Sequence, residues 1–154
     1  MAEPTETSRP ARTDSADDIM LPFGTVRSRI AGRIVRLGAA ADGVLAGHGY
    51  PDSVSRTLGE ALALTALLGH TIPSGGRLVL QTKSDGPVGF LVVQYESPGA
   101  LRGYASFDAA RVAAVAGAGG ADSTGLLGTG RMAMTIDPGG AQESWQGIVT
   151  LEGG

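Results

Sequence analysis

Histidine and cysteine, the side chains that most often hold metals or act as nucleophiles and bases, are scarce in this chain. It has two histidines, His48 and His70, and no cysteine. His48 lies between two glycines, and His70 lies at the end of a predicted helix, where the helix dipole favours a cation. No acidic cluster stands at metal-ligand spacing from either residue. The sequence therefore predicts no metal site and no thiol or disulfide chemistry within these residues.

The other candidates for chemistry have a simpler interpretation as turn or loop residues. The glycine-rich stretch 117–130 lacks the Gly-Lys-Ser/Thr ending that a phosphate-binding loop needs. Ser123 has no adjacent base that would activate its hydroxyl. Asp85 and Asp137 fall in predicted turns, where such side chains bond to their own backbone. Because no catalytic constellation results, we expect a binding protein rather than an enzyme.

The charge of the chain is concentrated at its N-terminus. Residues 1–18 hold five acidic residues and two arginines, which accounts for the formal net charge of −3 of the whole chain. Residues 19–154 are balanced, so they exert no long-range attraction on nucleic acid or an anionic membrane, and a nucleic acid partner is not expected. The alternative is an RNA- or ribosome-binding module that uses the basic residues of the first predicted strand, which are Arg27, Arg29, Arg33 and Arg36.

The N-terminal residues show no sign of a targeting segment. Residues 1–18 are rich in Pro, Ser, Thr and acidic residues and contain no apolar run. They predict a disordered acidic tail and no signal peptide. No stretch of the chain approaches the ~18 apolar residues of a membrane span. We therefore expect a cytoplasmic protein without a membrane partner, with one folded domain over residues 19–154.

Hydrophobic periodicity predicts an α+β fold, mainly an antiparallel twisted sheet of hairpins with helices packed on one face. A first strand is predicted over 24–36, where apolar or small residues alternate with arginines. The clearest helix is predicted over 54–70, after a short one over 39–46. A third helix is rich in alanine and is predicted to run to residue 116, with Asp108 as its N-cap. The remaining strands are predicted over 77–84, 88–96, 101–107, 131–137 and 145–151.

The predicted hairpins contain more apolar residues than one layer of helices covers. The strand over 88–96 is apolar on both faces, and such a strand needs cover on both sides. Methionine side chains adapt to varied partners, so a methionine-bearing hairpin is a candidate contact surface. Ordinary core packing is the alternative for all of these positions, since large exposed apolar patches are uncommon. The candidates for a second, less covered face are Leu78, Leu80, Phe90, Val92, Met132, Met134 and Ile148.

Several short motifs follow one another along the chain from the long predicted helix onward. They are Glu60-Ala61-Leu62, Leu67-Leu68, Gly76, Leu80-Gln81, Asp85-Gly86-Pro87, Arg102-Gly103-Tyr104-Ala105, Leu126-Leu127-Gly128-Thr129-Gly130, Thr135-Ile136 and Trp145-Gln146-Gly147-Ile148-Val149. In this order and spacing they resemble the redox-regulated heat-shock holdase family, the heat-shock protein 33 chaperonin group. The resemblance covers residues 18–154. Trp145 departs from it, since a tyrosine is more usual before that Gln-Gly pair.

The resemblance implies an N-terminal client-holding domain over residues 19–154 that binds unfolded or aggregation-prone proteins without using ATP. It makes the apolar candidates named above client-binding residues, and it implies a homodimer. In the family, a C-terminal cysteine module binds zinc when reduced and forms disulfide bonds on oxidation, which regulates the chaperone. That module is not matched here, so neither zinc nor another cofactor is expected in this chain.

Overall fold

A computed structural model describes residues 17–119 and 122–153 of the chain. Within these ranges the chain forms an α+β fold, which confirms the predicted class. The elements in chain order are β1 (Ile19–Gly24), β2 (Ala31–Arg36), α1 (Ala39–Leu45), α2 (Asp52–Gly69), β3 (Arg77–Ser84), β4 (Phe90–Glu96), β5 (Ala100–Ser106), α3 (Ala109–Gly117), α4 (Ser123–Leu127), β6 (Gly130–Asp137) and β7 (Trp145–Leu151).

The larger sheet has five antiparallel strands in the order β5-β4-β3-β6-β7. β3 lies at the centre and pairs with β4 on one side and with β6 on the other. Leu80 on β3, for example, lies opposite Val93 on β4 and Met134 on β6. Side chains of successive residues point to opposite faces of a sheet, so this register defines two faces for all five strands.

The helices pack on one face of the sheet, as predicted. α2 lies across β3, β4 and β5, and α1 lies across β5. The apolar stripe of α2 buries Leu58 and Leu62 completely. Gly103 on β5 permits this close approach, since a Cβ atom there would lie 3.1 Å from Val44 and 3.2 Å from Leu58. Full burial of a leucine side chain contributes about 1.5–3 kcal/mol, so these two residues of the core contribute substantially to the stability of the fold.

Two aspartates begin the helices that follow the first three strands of the sheet. Asp108 accepts a hydrogen bond from the Arg111 N–H at 3.0 Å and caps α3, as predicted. Asp122 accepts one from the Gly125 N–H at 2.8 Å and caps α4 in the same way. α4 lies inside the stretch 117–130, which the sequence predicted to be a loop throughout. That prediction is wrong for the residues of α4.

Asp85 and Asp137, the two aspartates predicted in turns, accept hydrogen bonds from different kinds of donor. Asp137 accepts a hydrogen bond from the Gly139 N–H at 3.0 Å, as expected for a turn, and also pairs with Arg77 at 3.0 Å. Asp85 instead accepts from the Thr129 N–H at 2.8 Å, so its prediction as a self-contained turn residue is wrong. This bond ties the residue after β3 to the residue before β6, next to the Ser84–Gly130 pair of the two strands.

The predicted single strand over 24–36 is wrong. β1 and β2 form a separate two-stranded antiparallel sheet, and the loop between them is closed by the Thr25 N–H, which donates to the Ile30 carbonyl at 2.8 Å. Arg29 has a φ of 51°, in the left-handed region that no extended strand contains. The apparent alternation runs through the loop because Val26 and Ile30 are apolar, although both are exposed.

The folded part of the chain already includes two residues that were assigned to the acidic tail. Asp17 pairs with Arg36 at 3.0 Å. Asp18 accepts a hydrogen bond from the Ala40 N–H at 3.1 Å, at the first turn of α1. Residues 1–16, the rest of the predicted tail, lie outside the described residues.

Candidate binding surface

The register divides the predicted surface residues between the two faces of the sheet. Leu78 and Leu80 point towards α2 and are only 1% and 2% exposed, so they belong to the core. Their prediction as a less covered surface is wrong, because α2 covers this part of the sheet. Phe90 and Val92, predicted to lie beside them, point to the opposite face. We call the face under α2 the helix side and the opposite face the open side.

Met132 and Met134 lie on the helix side as well, on β6, which is not one of the three strands that α2 lies across. Both are half-buried and pack against the edge of the core. β7 continues this side outward with Trp145 and Val149, which are 53% and 52% exposed. α2 reaches β3 but does not lie across β7, so the described residues leave the helix side of β7 uncovered.

α2 forms a wall along this uncovered region. Leu64 and Leu68 project from it and are 41% and 39% exposed. A cavity of about 150 Å³ lies at the foot of the wall, between Leu64 and Met132. We call the region between α2 and the outer edge of β7 the apolar trough. Its residues are Leu64, Leu68, Met132, Met134, Ile136, Trp145 and Val149.

A polar group lies in the wall of the same cavity. The Thr82 hydroxyl is buried and has no hydrogen-bond partner among the described residues. Leaving a buried hydroxyl unpaired costs about 1–3 kcal/mol, so a bound polar atom would be stabilised there. At the rim, the Ser123 hydroxyl donates to the Glu60 carboxylate. The trough therefore combines an apolar lining with one buried hydroxyl, that of Thr82, which has no hydrogen-bond partner among the described residues.

On the open side of the sheet, polar side chains separate the apolar ones. Ile148, a predicted candidate, is 61% exposed there. Phe90 is partly exposed and Val92 half-buried, while Gln81 and Lys83 interrupt the apolar residues between the strands. One row of side chains crosses this side from edge to edge through Tyr104, Val92, Gln81, Ala133 and Ile148.

The sequence analysis did not identify the residues that line the two sides of the apolar trough, on α2 and on β7. The signal for Leu64 and Leu68 was the apolar arc of α2, which is wider than one sheet contact needs. Trp145 and Val149 were placed on the correct strand, but nothing in the pattern told which of its faces is covered. Edge position decides that, and edge position depends on the order of strands in the sheet.

The basic residues of the first predicted strand do not form one face. Arg27 and Arg29 lie in the loop of the β1–β2 hairpin. Arg36 is paired with Asp17, and Arg33 lies further along β2. An RNA-binding stripe needs adjacent cations along one groove or face, so this arrangement gives the RNA- or ribosome-binding alternative no support.

The two histidines take part in packing and capping. His48 stacks on Tyr50 with ring centroids 5.0 Å apart, and the Tyr50 hydroxyl accepts a hydrogen bond from the Ala105 N–H at 3.1 Å. His70 is the C-cap of α2. In the described part of the chain, no three His, Asp or Glu side chains come close enough together to hold a metal ion. None of the helices described there is long and apolar enough to cross a membrane.

The fold has a solved counterpart among chaperones. It is similar to the crystal structure of the 33 kDa chaperonin (heat shock protein 33 homolog) of Thermotoga maritima, with a TM-score of 0.68 and 23% sequence identity. The match covers 88% of this chain and 46% of that one. At this identity the likeness establishes the α+β fold. Residues 18–154 also match the model of the Hsp33 protein family, so the chain belongs to that family.

Curated relatives agree with this assignment. The chain is 44% identical over 142 residues to the 33 kDa chaperonin of Caulobacter vibrioides (strain NA1000 / CB15N), covering 92% of this chain and 47% of that protein. It is 41% identical over 124 residues to the 33 kDa chaperonin of Ectopseudomonas mendocina, covering 80% and 40%. The chain thus spans about half the length of these relatives. The resemblance seen in the sequence motifs is confirmed.

Proposed function

We propose that this chain holds unfolded or aggregation-prone proteins through apolar contacts, without ATP and without catalysis. The observation that carries this proposal is the apolar trough, where apolar side chains of α2 and β7 are left exposed by the described residues. Membership of the Hsp33 family, whose curated relatives are named chaperonins, supports the same conclusion.

The chemistry of the trough suits partners of varied sequence. Apolar burial contributes about 25 cal/mol per Å² and has no directional requirement, so it does not select one sequence. Met132 and Met134 lie on the floor, and the flexible methionine side chain adjusts to differently shaped partners. On the open side, Phe90, Val92 and Ile148 remain proposed client contacts. Leu78 and Leu80 are proposed only as support beneath the trough.

Redox regulation through zinc and disulfide bonds is proposed only for a full-length protein. The chain has no cysteine, and the described residues contain no cluster of metal ligands. The residues present therefore do not fit zinc, and no step of client binding is derived through it. The resemblance assigns zinc to a separate cysteine module, which would control access to the surface described here.

We also propose that the protein acts in the cytoplasm and forms a homodimer. The β1–β2 hairpin offers a surface for self-association, since Leu21, Phe23 and Ile34 share one of its faces and are all exposed. The Phe23 ring lies over Gly32, where a Cβ atom would be only 2.4 Å from the ring. Sedimentation velocity at several concentrations tests the dimer, and Phe23→Lys should shift the equilibrium towards monomer.

The holding activity is tested by light scattering of a chemically denatured client diluted into buffer without ATP. The chain should suppress the scattering, and Leu64→Glu should require about tenfold more protein for the same effect, because a charge replaces an exposed apolar side chain at the wall of the trough. Ala110→Glu is the matched control, since it adds the same charge at an exposed position of α3 away from the trough. Full activity of Leu64→Glu would exclude the trough, and an inactive parent chain would exclude the proposed function.

A further inference from the structure

The two edges of the five-stranded sheet differ in how well they are protected. At the β5 edge, the Tyr50 hydroxyl accepts a hydrogen bond from the Ala105 N–H at 3.1 Å, and α1 packs against the strand. At the β7 edge, no residue of the ranges 17–119 and 122–153 pairs with the outer side of the strand. Within the described residues, the backbone N–H and C=O groups along that side therefore have no partner strand, and such an edge is a template for an added strand.

β7 also lacks the features that usually prevent edge strands from pairing. Such strands carry charged residues, prolines or bulges, or are very short. β7 reads Trp-Gln-Gly-Ile-Val-Thr-Leu, without a charge or a proline, and its seven residues match β4 in length. Its register with β6 runs without interruption from Trp145 to Leu151, so it has no bulge.

A strand added at this edge would meet different surroundings on its two faces. On the helix side it would continue the apolar trough beside Trp145, Gly147 and Val149. The Trp145 indole lies over Gly147, since a Cβ atom at Gly147 would be 2.4 Å from the ring. On the open side it would lie beside Gln146 and Thr150, with Ile148 between them. A segment with apolar residues at alternate positions fits this difference.

The charges around β7 distinguish between possible occupants. Glu143 precedes the strand and Glu152 follows it directly, and both side chains are exposed. If a second copy paired β7 with β7 in the antiparallel, two-fold manner, Glu143 of one copy would approach Glu152 of the other at both ends. Like charges so placed are destabilising. Basic residues on either side of an apolar segment would instead be attracted.

We infer that the free edge of β7 takes up an extended segment of a non-native polypeptide as an added strand, and that it prefers apolar segments flanked by basic residues. The inference rests on the proposed holding function and specifies its mode of recognition. Backbone hydrogen bonds supply affinity for any sequence, and the trough selects apolar side chains at every second position. Such recognition would discriminate against folded proteins, whose strands are already paired.

The test uses three synthetic peptides of equal length. The parent peptide alternates valine and threonine along a length equal to β7 and carries lysines at both ends. The second is identical except for N-methyl groups on every second residue, on the edge that would face β7, and the third carries glutamates in place of lysines. Trp145 is the only tryptophan of the chain, so its fluorescence reports directly on β7. Hydrogen exchange of the β7 amides identifies the bonded edge.

The parent peptide should shift the Trp145 emission to the blue and protect alternate β7 amides, those that point away from β6. N-methylation removes several hydrogen bonds, each contributing about 0.5–1.5 kcal/mol, and should weaken binding about tenfold or more. The glutamate peptide should bind more weakly than the parent at low salt. Equal binding of the N-methylated peptide would overturn the added strand, and equal binding of the glutamate peptide would overturn the preference for basic flanks.

Two further outcomes separate this inference from the proposed function. If the chain suppresses client aggregation while no peptide protects β7, the added strand is excluded and the holding function stands. If the parent peptide protects β7 but aggregation proceeds unchanged, the edge site stands and the holding function is excluded. Protection of the same amides in the concentrated chain without peptide would assign the edge to a second copy and overturn the proposed occupant.

Discussion

Leu62 and Leu64 lie two positions apart in α2 and have opposite environments. Leu62 is fully buried against the sheet, whereas Leu64 is 41% exposed at the wall of the apolar trough. Leu62→Ala should lower the free energy of unfolding by about 2–5 kcal/mol, because it leaves a cavity in the core. Leu64→Ala should lower it by less than about 1 kcal/mol, since little of its packing is lost.

Urea unfolding of both variants measures the difference in stability. In client binding the order of the two effects should be reversed, with the larger loss for Leu64→Ala. Leu64→Ala should reduce suppression of aggregation although the protein stays folded. Leu62→Ala should leave suppression unchanged under conditions in which it is still folded. Equal destabilisation by the two substitutions would contradict the assignment of Leu64 to a surface rather than to the core.

Asp137 makes the stability of the β3–β6 pair depend on pH. The Gly139 N–H, and next the Arg77 guanidinium, hold the pKa of the Asp137 carboxyl below its usual range. A carboxyl with a lowered pKa stabilises the fold at pH values above its unfolded pKa of about 4, and the contribution is lost as the pH falls through the folded pKa. The effect is small because the group is exposed.

The expected result is a larger decrease of the urea midpoint between about pH 6 and pH 3 in the parent chain than in Asp137→Asn. Asparagine can still accept the hydrogen bond from Gly139 but has no charge to lose. The two proteins differ only at position 137, so the difference between their decreases isolates Asp137. An identical decrease in the two proteins would show that the charge of Asp137, held by the Gly139 N–H and Arg77, contributes nothing measurable.

At the scale of the element, α3 is stabilised at its start by the side chain of its N-cap residue, Asp108. Val112 is its one fully buried side chain among the described residues, and Asp108 accepts the Arg111 N–H at 3.0 Å. Asp108→Ala should lower the free energy of unfolding by about 1 kcal/mol, because an N–H at the helix start loses its acceptor. Asp108→Asn should have almost no effect, since asparagine caps equally well.

Thermal unfolding and hydrogen exchange of the α3 amides measure the two variants. The alanine variant should show faster exchange in α3 before the sheet unfolds, because local opening requires less free energy than global unfolding. Equal effects of alanine and asparagine would mean that the charge of Asp108, rather than its hydrogen bond, stabilises the helix start.

Elements with a clear signal at both ends were predicted well from the sequence. β7 has the predicted bounds because turn residues precede it and Gly153 follows it closely. α3 was predicted through Asp108, whose capping function is local. The strand over 24–36 failed because a six-residue loop with Val26 and Ile30 at alternating positions continues the period-2 pattern. Periodicity carries no information on where the chain reverses.

At the scale of the whole molecule, the order of strands decided which apolar residues form a surface. Leu78 and Met132 belong to similar hairpins and both face the helix side, but only β3 lies under α2. No local pattern records that β6 and β7 extend past the helix layer. The methionines of β6 were predicted to lie on a less covered face, and their assignment to the helix side required the β3–β6 register.

The balanced charge of residues 19–154 leads to a prediction for client binding in salt. These residues contain ten acidic and ten basic side chains, and the trough itself has an apolar lining. Apolar contacts are not screened by salt, so a client should stay bound when NaCl is raised from about 0.05 to 0.5 M. Only the attraction of Glu143 and Glu152 for basic residues that flank a client segment should be lost, which should weaken binding by about a few fold.

Binding to RNA through the hairpin arginines would instead fall steeply over the same range, because each neutralised phosphate releases counterions. Titrations of a fluorescent unfolded client and of a fluorescent RNA at several salt concentrations measure both slopes. A steep loss of client affinity would show that charge, rather than the apolar trough, holds the client.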